Sequence, residues 1–184
     1  MGKTGKVARA GKVARATKVA LGMLRQEMGS VRVVMGYLLG MAFLALGLND
    51  FLRYAAETGE PVNICEAFIV IANQGMAGRF WVLGYLLAIG DAPFVRGNTY
   101  LTLYRSGRRS WNMGMLLYVF IQALLYLLCL VVASAVASTP AGFTGEIWSS
   151  PVYLLGTGAS NVIAEKYHMN FDGAAMMKYM TVPQ

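Results

Sequence analysis

The sequence predicts an all-α membrane protein with three transmembrane helices preceded by a basic interfacial helix. Two observations lead to this fold class. Of the 184 residues, 57% are hydrophobic and only 14% are charged, which is far from the balance of a water-soluble domain. The 16 lysines and arginines also cluster in alternate segments, as they do in membrane proteins whose loops face two compartments. The net charge of +7 alone would suggest a nucleic-acid partner, but the clustered apolar residues favour lipid, and no nucleic-acid partner is predicted.

Three stretches of the chain are candidates for membrane spans. The first, at about 31–49, is built on residues 33–48, sixteen residues without a charge that reach about 24 Å as a helix. The third, at about 112–137, is built on residues 113–137, 25 residues without a charge that can span with some tilt. The second is placed at about 77–90, because a start near Arg79 lets that side chain reach outward instead of lying at the midplane. Residues 68–72 would then lie in the outer interface or form a re-entrant turn.

The charge distribution orients these spans. Twelve of the sixteen lysines and arginines lie in residues 1–32 and 91–111. By the positive-inside rule these segments are cytoplasmic, whereas residues 50–79 and the tail 138–184 face outward. This predicts a multi-pass protein of the inner (plasma) membrane with a cytoplasmic N-terminus. A secretory signal peptide is the alternative for the first span, but the charged region ahead of it, about 30 residues, is much longer than a signal n-region.

The N-terminal arm, residues 1–30, is basic and contains an identical tandem hexapeptide, GKVARA, at residues 5–16. A period of six residues is too short for a stacking repeat unit. From residue 12 to residue 30, the mixture of basic and apolar residues predicts a helix lying on an anionic inner leaflet. For residues 1–12, where glycines recur, a disordered basic tail is an equal alternative. Anionic lipids are the partners predicted for this arm.

The cytoplasmic segment 91–111 has the strongest structural signals among the polar stretches. Pro93 closes the second span because it cannot continue the helical hydrogen bonds. Gly107 then ends a short amphipathic helix, which can be presented to a soluble partner. The alternative is a topogenic loop whose arginines only fix orientation. The candidate coupling residues of this segment are Asp91, Pro93, Tyr100, Tyr104, Arg105, Arg108 and Arg109.

One face of the first span is rich in glycine. Gly36, Gly40 and Gly47 recur at spacings of four and seven, which place them on one side of a helix. Because glycine has no side chain, this face allows another helix to approach closely.

The third span carries a polar stripe formed by Tyr118, Gln122 and Tyr126, with Cys129 one turn further. Lipid disfavours such a stripe, so it is expected to face protein or water. Its role is either contact between helices or contact with a substrate.

Enzymatic chemistry has little support in the sequence. His168 is the only histidine, and no cysteine or carboxylate pair accompanies it. Glu57, Glu60 and Glu66 are spread over the outer loop without a second group placed for acid–base work. The phosphate-binding pattern G-x-x-x-x-G-K is absent, so ATP would have to be bound by another protein. The sequence therefore predicts a protein that is not an enzyme and has no cofactor or metal.

Four short motifs lie along the chain among these predicted spans and loops. They are Asn63-Ile64-Cys65-Glu66, Ala72-Asn73-Gln74, Asp91-Ala92-Pro93-Phe94 and Tyr104-Arg105-Ser106-Gly107-Arg108-Arg109-Ser110-Trp111. With a basic interfacial segment and alternating spans and loops, they resemble the membrane (permease) subunits of bacterial type-two ATP-binding-cassette (ABC) transporters. The resemblance covers roughly residues 20–155 and is strongest over residues 90–111.

The resemblance implies that residues 91–109 form a coupling helix that docks on a separate ATP-binding subunit. Such permeases have six spans, so this chain corresponds to the N-terminal half. It is expected to be a truncated product or a half-length subunit that associates with another permease copy or the missing half. The expected function is a non-catalytic exporter subunit. The competing hypothesis is a small structural or regulatory membrane protein that binds anionic lipid or a cytoplasmic partner without transport.

Overall fold

The computed structural model describes residues 3–90, 99–145, 147–159, 161–169 and 178. Helices dominate this part of the chain, as the sequence predicts. A single turn of 3-10 helix and one pair of two-residue strands, β1 (Val62–Asn63) and β2 (Gly142–Phe143), are the exceptions among the described residues; the strands pair in parallel. The helices are α1 (Lys3–Glu27), α2 (Val31–Thr58), α3 (Glu66–Asn73), α4 (Gly75–Ile89), α5 (Thr99–Ser106), α6 (Arg108–Ser138), α7 (Ser150–Thr157) and α8 (Asn161–Lys166).

Two helices, α2 and α6, are long and apolar enough to span a membrane. They contain 28 and 31 residues and cover the predicted first and third spans. Helix α2 continues past the predicted end at residue 49, because Phe51, Tyr54 and Ala55 extend its buried face at helical spacing. It ends before Gly59, whose φ of 76° is the left-handed conformation that favours glycine.

Helix α4 is apolar but shorter, with 15 residues from Gly75 to Ile89. It overlaps the predicted second span, and its length of about 22 Å falls below the usual hydrocarbon thickness. Residues 68–72 belong to α3, in which Ala67, Val70 and Ile71 are buried. Residues 68–72 are therefore helical and packed, while their place in the outer interface or in a re-entrant segment stays a prediction.

The apolar helices expose many large apolar side chains, and small residues occupy part of their buried faces. On α2, glycines at positions 36, 40 and 47 are buried while Met35 and Leu38 are exposed. Such an exposed apolar surface is costly in water and suits a lipid environment. The exposed apolar side chains of α4 include Met76, Val82, Leu83 and Leu86, and those of α6 include Met113, Leu116, Phe120, Leu124, Leu128, Val132 and Val136.

The chain divides into two compact units, one of residues 1–37 and 85–126 and the other of residues 38–84 and 127–184. In the first unit α1 packs against α6, with Ala20 and Tyr118 both fully buried in one cluster. Helix α1 begins at Lys3, so the predicted helix from residue 12 extends further toward the N-terminus.

In the second unit, the C-terminal tail packs against the end of α2. The hydroxyl of Tyr54 donates a hydrogen bond to the carbonyl of Pro151 at 3.1 Å, and Lys166 Nζ pairs with Glu57 at 2.6 Å. Pro151 and Val152 of α7 are buried. The described part of the tail is therefore held against the last two turns of α2.

Candidate functional site

The predicted amphipathic helix of the cytoplasmic segment is α5. It ends at Gly107, which has a φ of 77° and donates its backbone N–H to the carbonyl of Leu103 at 2.9 Å. This left-handed turn satisfies a carbonyl at the helix end and favours glycine. Helix α6 begins at the next residue, Arg108, so only Gly107 separates the two helices.

The end of α5 and the start of α6 expose an aromatic ring and three cations. Tyr104 is 91% exposed, whereas Leu103 is half-buried and Ser110 is buried. Tyrosine combines a large apolar area with a polar tip, which makes it common in protein contacts. We call the four exposed side chains the elbow surface: Tyr104, Arg105, Arg108 and Arg109.

The other candidate coupling residues are placed as follows. Tyr100 lies in α5, whereas Asp91 and Pro93 lie outside the described residues. Helix α1 contacts α5, so the arm and the candidate docking helix belong to one packed arrangement. The sequence predicted both helices but gave no sign of contact between them.

The polar stripe of α6 is buried against protein. Tyr118 and Gln122 are fully buried and Tyr126 is nearly so, while Cys129 is half-buried. Gln122 Nε2 donates to the hydroxyl of Tyr37 on α2 at 3.4 Å, a long hydrogen bond. The stripe therefore avoids lipid, in line with its cost there.

Helix α4 joins the same cluster through Tyr85. Its hydroxyl donates to the carbonyl of Val119 at 2.8 Å, and its ring centroid lies 6.0 Å from that of Tyr126. The rings of Tyr37 and Tyr126 meet edge to face at 5.1 Å. The cluster thus links α2, α4 and α6 through neutral aromatic and amide groups, whose geometry suits helix packing.

The three glycines of this α2 face are buried, and Gly47 has a close neighbour. A Cβ at this position would lie 2.9 Å from Ile71 Cγ2 and 3.1 Å from Gln74 Oε1. At Gly47, the approaching element is thus the short helix α3 and the residue after it. The spacing of Gly36, Gly40 and Gly47 predicted a close neighbour without identifying it.

Glu66, which the sequence predicted only as an acidic residue of a loop, is a buried carboxylate that organises the second unit. Glu66, fully buried, accepts hydrogen bonds from the backbone N–H of Asn63 at 3.1 Å and of Ser149 at 3.0 Å, and also from the Ser149 hydroxyl. Burial raises the pKa of Glu66, while the hydrogen bonds from Ser149 and Asn63 partly oppose that rise. We call Asn63, Glu66 and Ser149 the clasp.

The clasp also holds the tail to the segment before α3. Asn63 Nδ2 donates to the carbonyls of Gly145 and Ile147 at 2.7 and 3.1 Å, and its Oδ1 accepts from the N–H of Cys65. Asn63 and Glu66 are three residues apart, so their hydrogen bond is local in the sequence. Ser149 is 83 positions away from Glu66, so no local signal indicates that contact.

The described residues include no group of three or more histidine, cysteine, aspartate or glutamate side chains that could hold a metal ion. His168 is exposed at the end of α8.

No family model, curated protein or solved structure matches this chain. The class that the fold defines is a helical protein with two helices able to span a membrane. A more specific assignment depends on the motifs and on the elbow surface.

Proposed function

We propose that this chain is a non-catalytic integral membrane subunit of an ABC-type exporter in the inner membrane, and that its elbow surface docks on a separate ATP-binding subunit. The observation that carries the proposal is Tyr104, 91% exposed beside three arginines at the junction of α5 and α6. Aromatic and arginine side chains are enriched in the buried centres of protein interfaces. An exposed tyrosine beside three arginines therefore suits a docking surface.

The proposal takes α4 as a third span. Strand β1 follows α2, and β2, which pairs with it, follows α6, so the C-terminal ends of these two helices reach the same side. The chain must return between them, and α4 is the apolar helix in that interval. A short span is accommodated by local thinning of the bilayer and by side chains such as the exposed Arg79 reaching outward.

The orientation follows from the arginines of the elbow surface and the lysines of α1. Both groups belong to the same unit of the chain, and the positive-inside rule assigns basic segments to the cytoplasm. The clasp and the tail would then face outward. This places the elbow surface where a soluble ATP-binding protein can reach it.

Coupling would use the short connection between α5 and α6. Because Gly107 is the single residue between them, displacement of α5 by a partner is passed to the start of α6 within one residue. Helix α6 is continuous for 31 residues, so it carries that displacement toward the other side of the membrane. The energy comes from the ATP-binding subunit.

Cysteine cross-linking tests the docking. In a Cys65→Ser, Cys129→Ser background, Tyr104→Cys and Arg105→Cys are expected to give adducts with a co-expressed ATP-binding subunit in intact membranes. Glu60→Cys, exposed on the outer loop, serves as the matched control and is expected to give none. Failure of the elbow cysteines to cross-link, despite reaction with a soluble thiol reagent, would overturn the proposal.

Two further outcomes bear on the competing function and on the number of spans. Adducts with a cytoplasmic protein that binds no ATP would favour a structural or regulatory membrane protein that acts without transport. A reporter fused after Gln184 is expected to be active only outside the cytoplasm. Cytoplasmic activity would show that the number of spans differs by one.

A further inference from the structure

Helix α1 has three distinct faces. Successive residues of a helix are rotated by about 100°, so the burial of each side chain can be placed around the axis. Ala16, Ala20 and Glu27 are buried and lie within about 40° of one another, on the face that packs in the first unit. This face is narrow, and the rest of the described helix surface from residue 13 onward is largely exposed.

The exposed surface of α1 divides into an apolar face and a basic face. Val13 and Leu21 are 60% and 52% exposed and lie about 80° apart around the axis. Arg15, Lys18 and Arg25 are exposed and fall within a second arc of about 80°, directly beside the first. A helix lying in a membrane surface has this arrangement, with apolar side chains among acyl chains and cations at the phosphates. The charge complementarity selects anionic phospholipid as the occupant.

The same helix is tied to the candidate docking element. At Gly114 of α6, a Cβ would lie 2.7 Å from Val19 Cγ1 and 2.9 Å from the carbonyl oxygen of Ala16. Helix α1 also contacts α5. Because Ala16 and Val19 meet α6 without free space, α1 cannot change its depth in the membrane without moving against α5 and α6.

We propose that α1 is a sensor of anionic phospholipid that sets the position of α5. Lipid binding to Arg15, Lys18 and Arg25 holds α1 at the membrane surface, and the α1–α5 contact passes that constraint to Tyr104. The inference rests on the proposed function for what α5 docks on, but lipid sensing itself does not require a partner.

Spin labelling of the reconstituted full chain tests both steps. In the Cys65→Ser, Cys129→Ser background, one label is placed at Leu21→Cys and another at Tyr104→Cys. The chain is compared in vesicles of phosphatidylcholine alone and in vesicles that also contain phosphatidylglycerol. We expect the anionic lipid to raise the oxygen accessibility of the label at position 21 and to change the mobility of the label at position 104.

The double substitution Lys18→Gln, Arg25→Gln is expected to abolish both changes, and glutamine keeps the helix propensity of these positions. Arg53→Gln, which removes an exposed cation from the other unit, is the matched control and should leave both changes intact. No response to phosphatidylglycerol at position 21, or an undiminished response in the double variant, overturns lipid sensing. A response at position 21 without one at position 104 overturns the link to α5.

These outcomes are independent of the cross-linking experiment. If both labels respond to lipid but no ATP-binding protein cross-links, the proposed function fails and the lipid sensor stands. If cross-linking succeeds and neither label responds, the proposed function stands and the lipid sensor fails.

Discussion

Gly114 on α6 lies so close to Val19 on α1 that a Cβ at Gly114 would sit 2.7 Å from Val19 Cγ1. The carbonyl oxygen of Ala16 is at 2.9 Å, so backbone as well as side chain blocks this position. The approach explains why the basic arm is held to a spanning helix although most of its described surface is exposed. It also makes the α1–α6 contact sensitive to a single methyl group.

We expect Gly114→Ala to destabilise the packing of α1 by about 1–3 kcal/mol, the range of overpacking in a filled contact. Thermal unfolding in detergent, together with the mobility of a spin label on α1, measures the effect. Gly22→Ala is the control, since a Cβ there meets nothing within 4 Å and the change should raise helix stability by up to about 1 kcal/mol. Equal stability of the two variants would contradict the close approach.

Ser149→Ala is expected to destabilise the second unit by about 1.5–3 kcal/mol at neutral pH. It removes the hydroxyl that donates to the buried carboxylate of Glu66, and hydrogen bonds to charged groups fall in this range. Limited proteolysis of the tail and thermal unfolding measure the loss. The neighbouring exposed Ser150→Ala is the control and should change stability little. A loss of the same size in both variants would show that the clasp is not the cause.

The clasp also predicts a pH dependence. Burial raises the pKa of Glu66 above its ordinary value of 4.5, so the folded protein retains a proton that the unfolded chain has released. This contribution to stability is fully present below pH 4.5 and is lost as the pH rises through the raised pKa. We expect unfolding measured against pH to show this slope in the native chain and to lose it in Glu66→Gln. An unchanged slope in the variant would assign the dependence to other groups.

The tyrosine rings of the polar stripe should contribute more to the stability of the fold than the amide of Gln122. Gln122 Oε1 is buried without a hydrogen-bond partner and its Nε2 bond is long, so Gln122→Leu should change stability by less than about 1 kcal/mol. Tyr126→Ala removes ring contacts with Tyr37 and Tyr85 and should cost roughly 3 kcal/mol. Unfolding in mixed micelles compares them, with the exposed Leu124→Ala as control. A larger loss for Gln122→Leu would contradict this ranking.

The helices and helix ends that depend on neighbouring residues alone could be predicted from the sequence. The uncharged runs indicated α2 and α6, and Gly107 indicated the end of α5, because chain length, polarity and glycine conformation act within a few residues. The end of α2 was placed nine residues early, since Asn49 and Asp50 indicated the membrane boundary but do not stop a helix. The structure continues it through the buried Phe51 and Tyr54, and the Tyr54 hydroxyl bonds Pro151, 97 positions away.

The contacts that define the candidate sites were only partly predictable. The spacing of Tyr118, Gln122 and Tyr126 indicated a protein-facing stripe, as the structure has it, but not that Tyr37 and Tyr85 would meet it. The elbow surface could be identified by its residue types, whereas the contact of α5 with α1 could not.

By itself the sequence determined that the chain is helical, that two stretches can span a bilayer, and that its cations alternate along the chain. These are properties of composition and periodicity, which each segment carries alone. Only the tertiary structure decided that Glu66 would be buried against Ser149, that α3 would fill the space at Gly47, and that α1 would close on Gly114. Each of these depends on two segments distant in sequence fitting within a few tenths of an ångström, and steric fit of that kind leaves no periodic trace in either segment.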